Sequence, residues 1–409
     1  MIAYQYPPEG SSSGVLRTLK FSKYLPINSW IPHVLTLKES FYPVKDVNLL
    51  KEIPPEAVVH RTFALDSGRH LAIRGRYPAL LAIPDRFVSW IPFGVAKGLQ
   101  VARSADVNVL YSTSPPPTTH LIAASIKALT GLPWVADFRD PWIEEGLHPR
   151  PGTIRYRFEK KLERFVVHGV DRLIVTTSYL RREFLSRYPE LRKEKVHVNC
   201  NGYDEADFQE LEYSKQNSHF EIIHAGLVTP EFRDPFPLLK AVSSLIADGE
   251  LQYDETRVRF LGGGSYLLSE RFKKDVERLR LEGVVRVDGR VPHQEALQSL
   301  GRAAVLLLLQ ASDDTRSLIP AKAFEYLRIG RPILALTLKG ATGDLLQDMD
   351  QCYIVAPNDQ RRLREAVMQG YASWKQSTSS NHMSRPICVY ERGVLTKQLS
   401  QLLEDLSST

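Results

Sequence analysis

Hydrophobic residues along this chain fall into two alternating patterns, namely short apolar runs and longer segments whose apolar positions recur every three to four residues. The short runs predict buried strands, and the longer pattern predicts amphipathic helices. In the first half, the predicted strands span 2–6, 33–37, 106–112, 132–138, 171–177 and 195–200, and the predicted helices span 15–26, 118–130, 153–167 and 179–187. Such alternation indicates parallel sheets with crossover helices.

The alternation begins again after a polar stretch near residues 202–218. The second half has predicted strands at 215–226, 258–262, 284–289, 303–309 and 331–336, and helices at 320–329 and 390–406. This pattern predicts an α/β protein with two doubly wound, Rossmann-like parallel-sheet domains, 1–205 and 206–385, and a closing helix in 386–409. Ligands of open parallel sheets bind beyond the carboxyl ends of strands. We therefore expect a cleft between the domains, with functional residues just after strands.

The first predicted strand is short, because Pro7 and Pro8 end it. A buried parallel strand usually has a longer apolar lead-in. We therefore expect that a few apolar residues precede Met1 in the native chain, and that they would stabilise the protein.

Composition narrows the function classes. The chain has 409 residues, of which 43% are apolar and 24% charged, with a formal charge of +6. The apolar and charged shares are those of an ordinary globular protein. The mild positive charge fits a protein that meets anionic small molecules or an anionic membrane face as well as it fits nucleic acid. The absence of a Lys/Arg-rich run argues against nucleic acid. The three cysteines are isolated and do not have the spacing of a metal site, so they predict a protein of the reducing cytoplasm. No apolar run is long enough to span a membrane.

Three loops that follow predicted strands carry candidate binding residues. Gly226 ends one strand, and Arg233 lies beside a helix start at Asp234-Pro235. An Arg at a helix N-terminus predicts an anion-binding site, but the same pattern also fits a capped helix with a surface Arg. Residues 262–264, all glycine, let backbone approach a nucleotide or simply form a tight turn, and Leu267 weakens any dinucleotide fingerprint. The loop 10–14 ends in Gly14 and is either a ligand loop or a flexible surface loop.

Charged residues at a fourth strand end and a basic segment add two further candidates. Asp137, Arg139 and Asp140 follow the strand 132–138, where buried charges are costly unless paired or functional; a structural Arg139–Asp140 pair is the alternative. Residues 69–105 combine six basic side chains with interleaved aromatics, which predicts an interfacial membrane patch, although Pro78, Pro84 and Pro92 also suit ordinary packed helices. The six basic residues and four aromatics are Arg69, Arg74, Arg76, Arg86, Lys97, Arg103, Tyr77, Phe87, Trp90 and Phe93.

The stretch "SLIPAKAFEYLRIGRPILAL" (317–336) is mostly apolar with one acid, Glu325. A Glu near the core is rare without a partner, so Glu325 either binds a ligand or forms a pair within its own domain. Together with "YPPEGSSSGVLR", "STSPPPTTHL", "WVADFRDPW", "NGYDEADF" and "AGLVTPEFRDP", this stretch resembles the family 4 retaining glycosyltransferases of the GT-B fold. The similarity covers essentially the whole chain and is strongest to the bacterial branch that builds cell-surface polysaccharides.

The resemblance implies transfer of a sugar from a UDP- or GDP-sugar to a glycan or lipid-linked acceptor, with the C-terminal helix returning to the N-terminal domain. It implies that Glu325 accepts hydrogen bonds from ribose hydroxyls, that Arg233 holds the diphosphate and that Asp140 is the third catalytic residue. The implied donor-binding set is Gly14, Gly226, Arg233, Gly262, Gly263, Gly264, Pro320, Ala321, Lys322 and Glu325, and the implied acceptor-side set is Asp137, Arg139 and Asp140. Two positions depart from the family, because Ser317 replaces a Glu that contacts the donor sugar and Arg139 replaces a frequent His.

Front-face transfer, in which the departing phosphate takes the acceptor's proton, is the mechanism that the resemblance implies. We expect no cofactor and no metal, since the single Asp-x-Asp match, Asp348 and Asp350, falls in a polar connection. The expected location is the cytoplasm, at the inner face of the membrane. Two other readings stay open, a nucleotide-sugar epimerase of GT-B-like fold and a catalytically silent scaffold homologue.

Overall fold

The computed structural model describes residues 1–70, 72, 82–143, 151–209, 211, 217–310, 312, 315–376 and 387–407. The chain divides into two compact units. Unit 1 comprises Met1–Asn201 and Arg392–Thr409, and unit 2 comprises Gly202–Glu391. The sequence had placed these boundaries after residues 205 and 385.

Unit 1 is built around a fully parallel sheet of seven strands in the order β3-β2-β1-β4-β5-β6-β7. Its strands are β1 (Ile2–Ala3), β2 (His33–Leu37), β3 (Val58–Thr62), β4 (Leu110–Ser114), β5 (Trp134–Phe138), β6 (Arg172–Val175) and β7 (Val196–Val198). Its helices are α1 (Val15–Tyr24), α2 (Ser67–His70), α3 (Trp90–Ser104), α4 (Thr118–Thr130), α5 (Ile154–Gly169), α6 (Ser178–Arg187) and, at the end of the chain, α13 (Arg392–Ser407).

The closing helix α13 belongs to unit 1, which confirms the predicted return to the N-terminal domain. Its buried face, formed by Leu399, Leu402 and Leu403, packs with Phe21 and Leu25 of the α1 region. The helix thereby covers apolar side chains that would otherwise face water, and this burial is what attaches it.

Unit 2 has a fully parallel sheet of six strands in the order β10-β9-β8-β11-β12-β13. The strands are β8 (Phe220–Ala225), β9 (Thr256–Leu261), β10 (Val285–Gly289), β11 (Val305–Gln310), β12 (Ile333–Thr337) and β13 (Cys352–Val355). The helices are α7 (Phe236–Ala247), α8 (Glu270–Arg278), α9 (His293–Arg302), α10 (Ala321–Ile329), α11 (Ala341–Leu346) and α12 (Gln360–Lys375). The predicted fold class, two Rossmann-like parallel-sheet domains, is confirmed.

Helix boundaries in unit 2 follow the signals in the sequence. The Asp234 carboxylate accepts a hydrogen bond from the Phe236 backbone amide at 2.9 Å, so α7 begins one residue after the predicted Pro235 start. At its other end, α10 stops at Gly330, whose φ of 72° is left-handed and favours glycine. Within the described residues, no helix is both long and apolar enough to cross a bilayer.

Candidate functional site

A cluster of cationic side chains lies at the carboxyl end of β8 in unit 2. Lys322, in the first turn of α10 just after Pro320 and Ala321, extends to this strand end. Its ammonium donates to the carbonyl of Ala225 and lies 3.4 Å from Nε2 of His224. The lysine therefore links the start of α10 to the end of the central strand.

Electrostatics within this cluster favour an anion. Burial and the nearby Arg233 guanidinium lower the pKa of Lys322 to about 7, while Glu325 opposes that shift. Burial and the charge of Lys322 hold the pKa of His224 well below its usual value. Burial also lowers the pKa of the half-buried Arg233. A bound anion would raise these pKa values again, because a negative charge nearby favours the protonated, positively charged forms of the side chains.

The loop after β8, which begins at Gly226, and the loop 262–264 after β9 lie against each other at this strand end. Three of their glycines are needed because other atoms come too close for a Cβ. Gly226 has φ 115°, and a Cβ on it would lie 2.5 Å from the Lys322 ammonium. Gly262 and Gly264, at φ 137° and 133°, would each place a Cβ 2.6 Å from a backbone oxygen of the loop after β8. Gly263, by contrast, has open space around it. Gly262 and Gly264 thus allow the two loops to pack closely, as the tight-turn alternative expects, whereas Gly263 faces open space.

Glu325 lies on α10 one turn after Ala321, and its side chain is 19% exposed. Its carboxylate is 3.1 Å from Nε2 of His293, the first residue of α9. The next residue, Tyr326, accepts a hydrogen bond from the Ala225 amide at 3.0 Å, which fixes α10 against β8. His293 and Tyr326 were not singled out from the sequence. The position of His293 after Pro292, at a helix start beyond a strand, was the signal that could have found it.

The loop before α10 is held by side chains rather than by a second acid. Ser317, at the position where the family pattern has a Glu, is 3% exposed. The Gln310 amide donates to the Leu318 carbonyl at 3.0 Å, and the Thr342 hydroxyl donates to the same carbonyl at 3.0 Å. Position 317 therefore carries a small buried hydroxyl residue instead of a carboxylate, and the described part of this loop is held through the Leu318 carbonyl.

In unit 1, Asp137 is a buried acid with several partners. Its carboxylate forms an ion pair with Arg17 at 2.8 Å and accepts from the Tyr111 and Thr113 hydroxyls at 2.6 and 2.9 Å. Burial raises the pKa of this carboxyl, but the Arg17 charge and hydrogen bonds outweigh burial, so the net shift is downward. These partners occupy Asp137 within its own unit.

Arg139 and Asp140 do not form the structural pair considered above. The Arg139 guanidinium is nearly buried and donates to four oxygens, Ser114 O at 2.7 Å, Gly14 O at 2.6 Å, Gln5 Oε1 at 2.5 Å and Pro115 O at 3.2 Å. A Cβ on Gly14 would lie 2.0 Å from Gln5 Oε1, so this glycine is needed for the contact. Arg139 thus holds the loop 10–14 in place. Asp140 is an exposed residue, whereas Asp137, the other acid of the set, is fully buried.

The basic and aromatic segment 69–105 is divided between core and surface. Phe87 and Trp90 are buried in the core of unit 1, whereas Phe93 is 44% exposed. Arg74, Arg76 and Tyr77 lie outside the described residues. Two of the four aromatics therefore cannot anchor a membrane patch in this conformation.

The two acids that could have formed a metal site, Asp348 and Asp350, lie in an exposed turn after α11. Neither residue belongs to the cationic cluster around Lys322. Metal independence remains a prediction.

The sequence and the fold are similar to those of known glycosyltransferases. Residues 53–202 match the glycosyl transferase 4-like domain family. A glycosyltransferase from Rickettsia africae superposes with a TM-score of 0.67 at 13% identity, covering 99% of this chain and 97% of that chain. The Anabaena protein HepE, in complex with UDP and glucose, gives a TM-score of 0.65 at 15% identity, with 98% and 99% covered.

UDP-GlcNAc 2-epimerase from Methanocaldococcus jannaschii has the same fold at a TM-score of 0.55 and 13% identity, with 99% of each chain covered. A comparison with curated proteins gave no match. Two Rossmann-like parallel-sheet units of this kind define the GT-B fold. The chain thus shares the fold of GT-B glycosyltransferases, and its residues 53–202 match a glycosyl transferase 4-like domain.

Proposed function

We propose that this protein is a retaining glycosyltransferase that moves a hexosyl group from a UDP- or GDP-sugar to a glycan or lipid-linked acceptor. Its role would lie in cell-surface polysaccharide synthesis, in the cytoplasm. The observation that carries the proposal is the pair of basic side chains Lys322 and Arg233 at the carboxyl end of β8, with the Lys322 ammonium against His224. This is the edge where parallel sheets bind ligands, and the cluster suits a diphosphate.

We assign separate residues to the diphosphate, the ribose and the base of the donor nucleotide. Lys322 and Arg233 would hold the diphosphate, and the backbone at the start of α10 would add amide groups at a helix N-terminus. Glu325 would exchange its contact with His293 for the ribose hydroxyls. The open space at Gly263 would admit the base, and the loop around Ser317 would meet the sugar through backbone groups.

Catalysis would rest on stabilising charge on the leaving group. When the bond between sugar and phosphate breaks, negative charge grows on the diphosphate, and Lys322 and Arg233 would stabilise it. The departing phosphate would take the acceptor proton, and the acceptor would enter from the same face, which retains configuration. Asp140, exposed at the carboxyl end of β5, would bind and orient the acceptor on unit 1.

We expect Glu325→Ala to weaken UDP binding by roughly 1.5–3 kcal/mol, the value of a hydrogen bond to a charged group. The loss should largely vanish for 2′,3′-dideoxy-UDP, which lacks the ribose hydroxyls. Titration calorimetry with both ligands on both proteins measures the difference. His293→Ala is the matched control, since it removes the partner of Glu325 without removing the carboxylate. Equal losses for UDP and the dideoxy analogue would show that Glu325 has a structural role.

We expect Arg233→Ala to weaken UDP much more than uridine, because uridine lacks the diphosphate that the guanidinium would contact. The same calorimetry compares the two ligands. The variant should also lower turnover, since charge grows on the leaving phosphate in the transition state. A variant that loses affinity for uridine and UDP equally would place Arg233 away from the diphosphate.

The reaction itself is tested by incubating the protein with UDP- and GDP-sugars and following products by NMR. Sugar transfer with the donor's anomeric configuration preserved is the expected result, and inverted configuration would contradict the retaining proposal. Epimerised donor would identify the epimerase alternative instead. Slow donor hydrolysis without acceptor would argue against a silent scaffold.

A further inference from the structure

Helix α5 separates its side chains by charge in a way that its packing alone does not require. Its two acids, Glu159 and Glu163, are buried at 2% and 0% exposure. On the opposite side, Ile154, Phe158 and Phe165 are 72%, 50% and 60% exposed. Positions 154, 158 and 165 share one face of a helix, because residues four and seven apart lie near each other on its surface.

The buried acids are fully engaged with unit 1. Glu159 accepts from Arg155 at 2.6 Å and from the Trp142 indole at 3.2 Å. Glu163 accepts from Arg187 at 2.7 Å, from the Tyr188 hydroxyl at 2.9 Å and from the amide of residue 143 at 2.9 Å. These contacts hold the helix in place and keep its negative charge away from the outer face.

The outer face carries cations beside the apolar stripe. The exposed cations of α5 are Arg157, Lys160, Lys161 and Arg164. Arg164 pairs with Glu190 at 3.0 Å, and the Lys160 ammonium lies 5.6 Å from the Tyr156 ring centre. Arg157 and Lys161 form no ion pair within the described part of the chain. The α5 outer face, defined as residues 154, 157, 158, 161 and 165, is therefore both apolar and positive.

Helix α8 of unit 2 shows what a solvated face looks like in the same protein. Its exposed cations are interleaved with acids, and two of them are paired, Lys273 with Glu270 and Arg278 with Asp275, each at 2.8 Å. No large apolar residue of α8 is more than slightly exposed, since Phe272 and Val276 are buried. The α5 outer face, by contrast, exposes large apolar side chains and has two cations, Arg157 and Lys161, without ion pairs in the described part of the chain.

We propose that the α5 outer face docks onto an anionic phospholipid bilayer. Ile154, Phe158 and Phe165 would enter the boundary between headgroups and acyl chains, and Arg157 and Lys161 would meet the lipid phosphates. Charge complementarity selects an anionic surface, and the protruding aliphatic and aromatic side chains gain free energy in an acyl layer, which a nucleic-acid backbone lacks. The interaction stands apart from the transfer reaction and from the donor site.

The test is co-sedimentation of the full-length protein with vesicles of phosphatidylcholine alone and of phosphatidylcholine with 30% phosphatidylglycerol. We expect binding to the anionic vesicles that weakens with added salt. Arg157→Gln with Lys161→Gln should lower the partition coefficient roughly 10- to 30-fold. Phe158→Ser with Phe165→Ser should lower it at least about tenfold and lower the melting temperature only slightly, because about half of each side chain is already exposed.

Matched controls lie on α8 and in the segment just before it. Lys273→Gln with Lys274→Gln removes the same charge, and Leu268→Ser removes a side chain that is 69% exposed; neither should change partition. Equal binding to both vesicle types, or equal losses in the α8 and α5 variants, would overturn the proposal. Loss of self-association or of oligonucleotide binding in the α5 variants, with vesicle binding intact, would overturn it in favour of a second copy or nucleic acid.

Discussion

Lys322→Met lowers the rate of sugar transfer on the order of 100-fold or more, if the cluster at β8 stabilises the leaving diphosphate. That is the effect of removing one preorganised donor from developing negative charge. The variant keeps the length of the side chain and removes the ammonium. Steady-state kinetics with a UDP-sugar measure the change, with Lys339→Met, an exposed lysine of unit 2, as the control. Turnover unchanged in Lys322→Met would remove this residue from the site.

The same lysine makes donor binding depend on pH. Its pKa of about 7 in the free protein means that it is largely neutral above that pH. A diphosphate favours the protonated form, so binding takes up a proton above pH 7. The affinity for a UDP-sugar, whose phosphate diesters do not titrate in this range, should therefore fall by up to about tenfold per pH unit from pH 7 upward and level off below pH 6. Lys322→Met should show weak, flat binding in the same calorimetric series.

Asp137→Asn should destabilise unit 1 by roughly 3–5 kcal/mol, because it leaves the buried Arg17 guanidinium without its counter-charge. That loss is a large part of a domain's total stability. Urea unfolding followed by tryptophan fluorescence reports mainly this unit, since Trp30, Trp90, Trp134 and Trp142 belong to it and Trp374 is the remaining tryptophan.

The matched control is the double variant Arg17→Met with Asp137→Leu. Replacing both ions by apolar side chains removes the uncompensated charge, so part of the stability should return, while the Tyr111 and Thr113 hydroxyls lose their acceptor. A catalytic Asp137 would behave differently, since the double variant would then be stable but inactive. A single variant as stable as the wild type would show that Arg17 finds another partner.

Much of the fold was predictable from the sequence, because apolar periodicity reports burial directly. Helix α4 spans the predicted residues 118–130, and strand β2 spans 33–37. Strands β3 and β13 were missed, and both are edge strands whose residues are only partly buried, so their apolar signal is weak. The predicted strand 2–6 shortens to Ile2–Ala3.

The candidate site was predictable in kind but not in arrangement. Periodicity and strand ends pointed to Lys322 and Arg233, yet their proximity depends on how α10 and the loop after β8 fold onto each other. Asp137 and Arg139 looked like site residues because buried charge is rare. Their partners, Arg17 and the carbonyls of loops 10–14 and 114–115, come from distant parts of the sequence, and no local pattern reveals them.

The position of α13 has a consequence for the order in which the chain folds during synthesis. Unit 2 is one continuous stretch, so it can close as soon as it leaves the ribosome, whereas unit 1 must wait for its last helix. Until then, Phe21 and Leu25 lack their cover, and the side-chain amide of Asn199 lacks the Leu395 carbonyl that it reaches at 2.8 Å. The backbone carbonyl of the same Asn199 accepts from Arg17, so the contact with Leu395 lies next to the buried ion pair. Residues 1–201 are thus made before unit 2 but belong to the unit that is completed after it, and stop codons shortly before residue 392 would yield chains with a finished second unit and an unfinished first.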